Sequence, residues 1–374
     1  MNQIASSISC VLFLFLSFLT TAQTNKETAK EKFTQAIELV DKGKFDEGIK
    51  LLEESQKLYG EENFTYPYEI AYAYYHKEDY KQAVKILENA ITKYKNPNAR
   101  AFQLLGNACD IMGNPKKAIE WYQTGLKKFP NSGELYLELG NLQFQKKEYA
   151  KALPFYEKGI EISPQFPSNY YRSTQIYCNS SERVWGMIYG EIFMNLERNS
   201  ERTLEISKLL FDTYKEGIKF SQEADSSNPK IMKKIGAVYF SREFVIDLDK
   251  LKDTANFKLP FGVGLYAMIM IIASANQNEI NLNTLDTIRQ NFIGLYYQND
   301  NNKKYPNVLF DYQKQISEAG HFEAYNHWLL MKGGEESFKI WKSANKDKWD
   351  SFVIWFKENP LKLDANHKFY SGQY

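Results

Sequence analysis

Cysteine and histidine are scarce in this sequence of 374 residues, which contains three cysteines and four histidines. Cys10 precedes an N-terminal apolar run, so the body of the chain holds only Cys109 and Cys178. Two cysteines in so long a chain do not make a disulfide framework. His321 and His327 are six residues apart, whereas a zinc-binding helix places its histidines at i and i+4, on one face. We therefore expect no metal site and a fold stabilised by its hydrophobic core.

The sequence also lacks an excess of either basic or acidic residues. The chain has 47 Lys and Arg residues against 46 Asp and Glu residues, which gives a formal net charge of +1. Nucleic acids and anionic membranes are bound by concentrated positive faces. The composition therefore predicts no nucleic-acid partner.

The motifs of the common enzyme classes are absent from the sequence. It contains no nucleophile elbow, no phosphate-binding glycine-rich loop and no dinucleotide fingerprint. Gly262 and Gly264 form a lone fragment within an apolar segment, which favours close packing over phosphate binding. Glu53 and Glu54 are typical of a solvated helix face. We expect a non-enzymatic protein that needs no cofactor.

Hydrophobic runs long enough to span a bilayer are missing too. The run from Phe261 to Ala275 is too short for a membrane span, so it predicts a buried central helix. The shorter run from Val11 to Leu19 is typical of a signal peptide cleaved between Ala22 and Gln23. The preceding residues contain no Lys or Arg, and an uncleaved anchor is the alternative. We expect an exported protein, periplasmic or secreted, with no membrane span in the mature chain.

Small and bulky residues, by contrast, recur throughout the first half with a period of roughly 34 residues. One small series is Ala36, Ala71, Gly106 and Gly140. Twelve residues later in each period stands a second small series, Gly48, Ala83, Ala118 and Ala152. Four residues further stands a bulky series, Leu52, Leu87, Tyr122 and Tyr156. The pattern predicts one helical hairpin in each period, with small residues letting the paired helices approach closely.

This pattern resembles the tetratricopeptide repeat (TPR). The resemblance implies an all-α superhelix, an α-solenoid, over residues 29–200. Four clear repeats are expected at 29–62, 64–97, 99–132 and 133–166, and a degenerate fifth at 167–200. Residues 201–374 have no visible period but are helical in pattern, with Asn228 and Pro229 predicting the start of a helix at 231–248. We expect them to form an irregular helical C-terminal domain.

The resemblance also implies a groove that binds a protein or peptide, lined by the inner positions of each first helix. In this sequence the candidate groove residues are Tyr68, Tyr72, Tyr75, His76, Arg100, Gln103, Asn107, Asp110, Leu137, Asn141, Phe144, Tyr171 and Gln175. Aromatic rings beside amides suit an extended or helical peptide. The lysine that family members use to clamp terminal carboxylates is replaced by Gln103 and Leu137. The alternative is that the tyrosines are covered by the C-terminal half.

Two functions therefore remain open. The first is a protein-binding adaptor or assembly factor of the cell envelope or of secreted complexes. The alternative is a protein that binds a glycan or small ligand, or a hydrolase, with its pocket at the junction of the solenoid and the C-terminal half. The composition and the Ala22–Gln23 junction resemble those of exported proteins of Bacteroidetes-type bacteria.

Overall fold

A computed structural model of the protein describes residues 24–60, 63–220, 237–238, 261–298 and 300–374. The expected signal peptide and the helix expected at 231–248 lie outside these residues. The Cα positions divide the chain into two compact units, Met1–Leu139 and Gly140–Tyr374.

The first unit consists of helices arranged in antiparallel hairpins, as the repeats predict. Residues 24–41 form α1. The helices that follow are α2 (Phe45–Tyr59), α3 (Thr65–His76), α4 (Tyr80–Lys93), α5 (Ala99–Ile111) and α6 (Pro115–Lys128), and α7 (Gly133–Gln145) contains the point of division. The expected all-α repeat fold is confirmed.

The turn inside each hairpin depends on one residue with a left-handed backbone. These residues are Gly43, Glu78, Gly113 and Lys147, with φ between 59° and 79°. One of them stands at the same place in each of the four clear repeats, so the turn recurs there with the period of the small residues. Glycine adopts this conformation without the steric cost that a side chain adds. The same chain reversal therefore brings the two helices together in each of these four repeats.

Close contact between a glycine and an aromatic ring joins the paired helices. A Cβ atom on Gly106 would lie 2.0 Å from Cε1 of Tyr122, and one on Gly140 would lie 2.3 Å from Cε1 of Tyr156. Both rings are almost fully buried. The other members of the three recurring series are buried as well. The predicted close packing of small against bulky residues is confirmed.

The second unit continues the hairpins and adds the C-terminal helices. It contains α8 (Tyr149–Ile162), α9 (Pro167–Cys178), α10 (Arg183–Leu196) and α11 (Glu201–Gly217). Two short strands, β1 (Ile218–Lys219) and β2 (Ala237–Val238), pair antiparallel with Ile218 opposite Val238. A π-helical turn, Phe261–Tyr266, leads into α12 (Ala267–Ala273), and the later helices are α13 (Leu282–Gln298), α14 (Asn301–Lys304), α15 (Val308–Glu318), α16 (Phe322–Leu329), α17 (Glu335–Ala344) and α18 (Lys346–Glu358). Short 3₁₀ turns occupy Met331–Gly333 and Ser371–Gln373.

Helix α11 occupies the place of a first helix in a sixth repeat. The helices α7, α9 and α11 begin at residues 133, 167 and 201, which are evenly spaced by one repeat length. Lys208, which is exposed, stands where the earlier repeats have a small residue. The 3₁₀ turn at Met331–Gly333 packs on α11, and Lys332 N donates a hydrogen bond of 3.1 Å to Ser207 Oγ. Helix α11 therefore ends the series, with the 3₁₀ turn packed on one of its faces.

One hydrophobic core is shared by α8–α11 and the C-terminal helices. This cluster includes Ile160, Tyr189 and Leu210 from the repeats together with Phe292 and Phe369. The compact units divide after Leu139, so residues 140–200 of the expected solenoid lie in the same unit as the expected C-terminal domain at 201–374. The apolar residues of repeat five therefore pack against residues from far later in the chain.

The apolar segment from Phe261 to Ala275 is buried on one face only. Phe261, Tyr266 and Ile269 belong to the core, whereas Met268 is 52% exposed and Ile272 is 56% exposed. The segment expected to form a buried central helix therefore contributes one face to the core and leaves the other exposed, because α12 lies at the edge of the core. No helix in the described parts of the chain is long and apolar enough to cross a membrane.

Cys109 and Cys178 are both buried free thiols.

We expect Gly140→Ala to lower the free energy of unfolding by about 1–3 kcal/mol, the usual effect of overpacking a core. The added Cβ has no room beside the buried Tyr156 ring. Thermal and denaturant unfolding measure the effect. Gly294→Ala is the matched control, because Gly294 lies in α13 and a Cβ added there would have nothing within 4 Å. Better helix propensity should make this control about 1 kcal/mol more stable, and equal effects of the two changes would contradict the packing argument.

Candidate functional site

The candidate groove residues of the first unit include a line of aromatic rings along α3. Phe64, Tyr68, Tyr72 and His76 follow one another at intervals of four residues, which places them on one helix face. Successive ring centroids are 6.5, 6.4 and 4.3 Å apart. Tyr68 and Tyr72 are half-buried and His76 is exposed. Phe64 is buried, so the rings of this line that are accessible within the unit are those of Tyr68, Tyr72 and His76.

Polar groups on α5 and α7 lie on the candidate face of the same unit. Gln103 Nε2 donates a hydrogen bond of 2.8 Å to Glu138 Oε1, and Arg100 is exposed. Tyr75 is half-buried, and burial raises the pKa of its hydroxyl, to which the nearby Glu138 and Asp110 carboxylates add. A tyrosine hydroxyl is already protonated at neutral pH, so this shift leaves it a hydrogen-bond donor there.

The two candidate asparagines bond to the buried tyrosines of their own hairpins. Tyr122 OH donates to Asn107 Oδ1 at 2.6 Å, and Tyr156 OH donates to Asn141 Oδ1 at 3.0 Å. The sequence separation within each pair is the same. The carbonyl of Asn107 is thereby used internally, and the side that a partner meets is its amide NH2, a donor. Sequence reasoning missed this role, although an asparagine and a tyrosine at one fixed spacing in two successive repeats were a usable signal.

The second unit contains a cleft between α7, α9 and α11, with a volume of about 590 Å³. Its lining residues come from these three helices, from the start of α8 and from the turn after α9, and are Phe144, Tyr149, Gln175, Ile176, Asn179, Ser180, Glu205, Lys208, Leu209 and Asp212. Phe144 and Gln175 were candidates from the sequence. Glu205 and Leu209 were missed, although they stand one repeat length after the candidates Tyr171 and Gln175.

A carboxylate on α11 is fixed by donors from α9. Tyr171 OH donates to Glu205 Oε2 at 2.6 Å, and Gln175 Nε2 donates to Glu205 Oε1 at 2.8 Å. Arg172 Nη1 donates in turn to Gln175 Oε1 at 3.0 Å. The direction of the Glu205 carboxylate is therefore set before any partner binds.

Tyr171 is a correction to the predicted groove lining. Its side chain is buried, with 9% exposure. The ring lies 5.3 Å from that of Phe193, and the guanidinium of Arg202 covers it at 4.9 Å. Burial and the hydrogen bond to Glu205 raise the pKa of Tyr171 to about 12. Tyr171 therefore orients Glu205 instead of offering an aromatic surface to a partner.

Phe144 forms the aromatic end of the cleft. Its ring meets that of Tyr149 edge to face, with centroids 5.2 Å apart. The Arg172 guanidinium lies 4.9 Å from the Phe144 ring centroid. Tyr149 is 42% exposed, so together with Phe144 it offers ring surface that a partner can cover.

The C-terminal segment binds α8 and α10 and leaves this cleft open. Lys368 Nζ donates to the carbonyl of Glu161 at 2.8 Å, and Ser371 Oγ donates to Glu157 Oε1 at 2.8 Å. Every described residue that lines the cleft lies between Phe144 and Asp212. Within the described part of the second unit, the cleft is therefore not filled by the C-terminal helices.

A buried polar network joins repeat five to the C-terminal helices. Glu191 Oε1 accepts hydrogen bonds from Arg289 Nη2 at 2.7 Å, Gln313 Nε2 at 2.5 Å and Tyr325 OH at 2.8 Å. Arg289 Nη1 also donates to Tyr214 OH at 2.7 Å. Burial alone would lower the pKa of Arg289, but the Glu191 carboxylate and Tyr214 raise it well above its ordinary value.

This network is the place where a hydrolase pocket at the junction would be expected. Titratable side chains do converge there, but the cavity beside them has a volume of only about 10 Å³. That is room for a single water molecule. Glu191 and Arg289 are 4% and 5% exposed and bonded to each other. The arrangement is suited to holding helices together and has no space for a substrate.

The two neighbouring histidines do not form a metal site. His327 is buried and stacks on Trp341 with ring centroids 4.1 Å apart, whereas His321 lies beside Trp355 at 5.4 Å. Among the residues that the structure describes, no group of three or more His, Cys, Asp or Glu side chains is placed to hold a metal ion.

Comparison with known families agrees with the repeat architecture. Models of the tetratricopeptide repeat match residues 33–101 and 68–133, and another matches residues 133–166. The last match has the bounds expected for the fourth repeat. The chain therefore contains tetratricopeptide repeats over residues 33–166. No curated protein matches the sequence.

Several solved structures resemble the chain at low identity. A crystal structure of MamA is 22% identical, with 43% of this chain and 94% of that chain covered and a TM-score of 0.35. YrrB, described as a TPR protein with an unusual peptide-binding site, is 20% identical, with 51% and 97% covered and a TM-score of 0.33. The TPR2AB domain of yeast Sti1, in a complex with pHSP90, is 18% identical, with 50% and 83% covered and a TM-score of 0.25.

We expect Glu191→Gln and Arg289→Met each to destabilise the protein by about 3–5 kcal/mol, since each leaves a buried charge without its partner. The double variant should lose clearly less than the sum of the two, because both charges are gone. Denaturant unfolding of the four proteins in this double-mutant cycle measures the coupling. Additive losses would show that the two side chains do not depend on each other.

Proposed function

We propose that the protein is a non-enzymatic adaptor that binds another protein or a peptide segment through the inner faces of its repeats. The observation that most supports this is the cleft of about 590 Å³ between α7, α9 and α11. Its volume and mixture of apolar and polar lining suit an anchoring side chain of a bound segment.

The polar groups around the cleft favour binding because they are already oriented. Glu205, which lines the cleft, is held by Tyr171 and Gln175. A partner then loses little free energy in ordering these side chains. Rings such as Phe144 and Tyr149 add contact area with few rotatable bonds. This combination is suited to recognising a segment of protein.

The inner face of the first unit provides a second contact surface in this proposal. The line of rings on α3 supplies apolar area, and the amide NH2 of Asn107 supplies a donor for a backbone carbonyl of the partner. No residue of the first unit lines the cleft of the second unit, so each surface can be tested by itself.

We propose further that the protein acts outside the cytoplasm, as an exported component of the cell envelope or of a secreted complex. The support is the apolar run from Val11 to Leu19 with small residues ahead of Gln23. Within this proposal it is an exported protein of the Bacteroidetes type.

The binding proposal is tested by selecting peptides from a phage-displayed library on the full chain and measuring their Kd by fluorescence polarisation. Phe144→Ala should weaken the selected peptides by about 2 kcal/mol or more, close to 30-fold, as expected for an aromatic hot spot. Ile354→Ala is the control, because Ile354 is 61% exposed on α18 and outside the cleft. Selection that yields no binder, or peptides that bind Phe144→Ala as well as the unchanged chain, would refute binding at this cleft.

The export proposal predicts that the chain made in a Gram-negative host reaches the periplasm or medium with residues 1–22 removed. Cell fractionation and intact mass spectrometry measure both properties. Leu14→Arg should block export, because a charge in the middle of the apolar run prevents its recognition and insertion. An uncut chain in the membrane fraction would instead establish the anchor, and an uncut chain in the cytoplasm would refute export.

A further inference from the structure

We propose that the cleft between α7, α9 and α11 receives an arginine or lysine side chain, so that the segment bound there is basic. The inference rests on the proposed binding function and specifies the chemistry of the partner. Three observations support it. They are the hydrogen-bond partners of the Glu205 carboxylate, the apolar residues that line the cleft, and the contact between Arg172 and the Phe144 ring.

Among the described residues, the Glu205 carboxylate accepts hydrogen bonds from neutral donors but forms no ion pair with a cationic side chain. Its two oxygens accept from the neutral groups Tyr171 OH and Gln175 Nε2, and among the described residues it forms no ion pair. Nearby acidic residues differ, since Asp212 pairs with Lys208 at 2.9 Å and Glu216 pairs with Arg183 at 3.3 Å. Glu205 is exposed within the cleft. Because an ionised carboxylate accepts about four hydrogen bonds, a partner can still donate to it.

The apolar residues that line the cleft favour an occupant that has apolar surface as well as a charge. Phe144, Ile176 and Leu209 line it and present apolar surface beside the carboxylate. Arginine and lysine both combine an aliphatic stem, which buries against such a surface, with a charged end. A purely apolar side chain would cover the floor but would separate Glu205 from water without giving it a partner. An acidic side chain would be repelled by Glu205.

The chain already shows that this aromatic end accommodates a guanidinium. Arg172 lies over the Phe144 ring at 4.9 Å. Arg172 is directed to Gln175, with Nη1 at 3.0 Å from Oε1, and so does not neutralise Glu205. An arginine from a partner can therefore use Glu205 for a charge-assisted hydrogen bond and the rings of Phe144 and Tyr149 for contact.

The test uses four pools of short immobilised peptides with randomised flanks and one fixed central residue: arginine, citrulline, norleucine or glutamate. Citrulline has the shape of arginine without its charge. Retention of the purified full chain on each pool is measured at low and at physiological salt. We expect about tenfold more retention on the arginine pool than on the citrulline pool, and a preference that falls as salt rises.

Glu205→Gln should reduce the preference for arginine over citrulline to less than about threefold, because the hydrogen bond loses its charge. Glu201→Gln is the matched control, since it removes the same charge from α11 at an exposed residue outside the cleft, and its preference should not change. A Glu205→Gln variant that still prefers arginine would overturn the inference.

The remaining outcomes separate the inference from the proposed function. Equal retention on the arginine and norleucine pools, lost in Phe144→Ala, would overturn the basic partner while leaving peptide binding at the cleft intact. Retention on none of the pools would overturn both.

Discussion

The close approach of the two helices in each hairpin is the constraint on which the rest of the structure depends. Gly106 and Gly140 leave no room for a side chain because the rings of Tyr122 and Tyr156 pack directly on their backbones. The same contact brings the tyrosine hydroxyls to Asn107 and Asn141, so core packing orients the amides on the inner face. In these two repeats the tyrosine that packs on the glycine therefore also fixes the asparagine side chain.

In the second unit, charge complements this packing. The Glu191–Arg289 pair lies where the solenoid gives way to irregular helices, at a place where apolar packing alone has no repeated pattern to specify register. A buried ion pair contributes little net stability. A buried charge without its partner is so unfavourable, however, that few alternative arrangements compete. The network thus selects one arrangement of α10, α13, α15 and α16.

The repeats could be predicted from the sequence because their packing is local and recurs, and Gly106 and Gly140 are examples. A helix at the position of α11 was expected, but its place as the first helix of a sixth repeat was not, since Lys208 replaces the small residue that marks a first helix. The burial of Tyr171 depends on Phe193 and Arg202, which are distant in sequence and carry no periodic signal. Glu205 was missed for a related reason. Its role comes from two donors on another helix, and its spacing of one repeat length from Tyr171 does not reveal those donors.

The long sequence separations in the second unit have a consequence for how the chain is made. Asn141 meets Tyr156 within one hairpin, but Glu191 meets Arg289 only after 98 residues and Glu157 meets Ser371 after 214. Local hairpins form early, whereas distant pairings close slowly. Until synthesis is nearly complete, α8–α11 therefore expose apolar surface and an unpaired carboxylate. A chain cut short after α11 would keep that surface exposed, which marks it for chaperones and proteases.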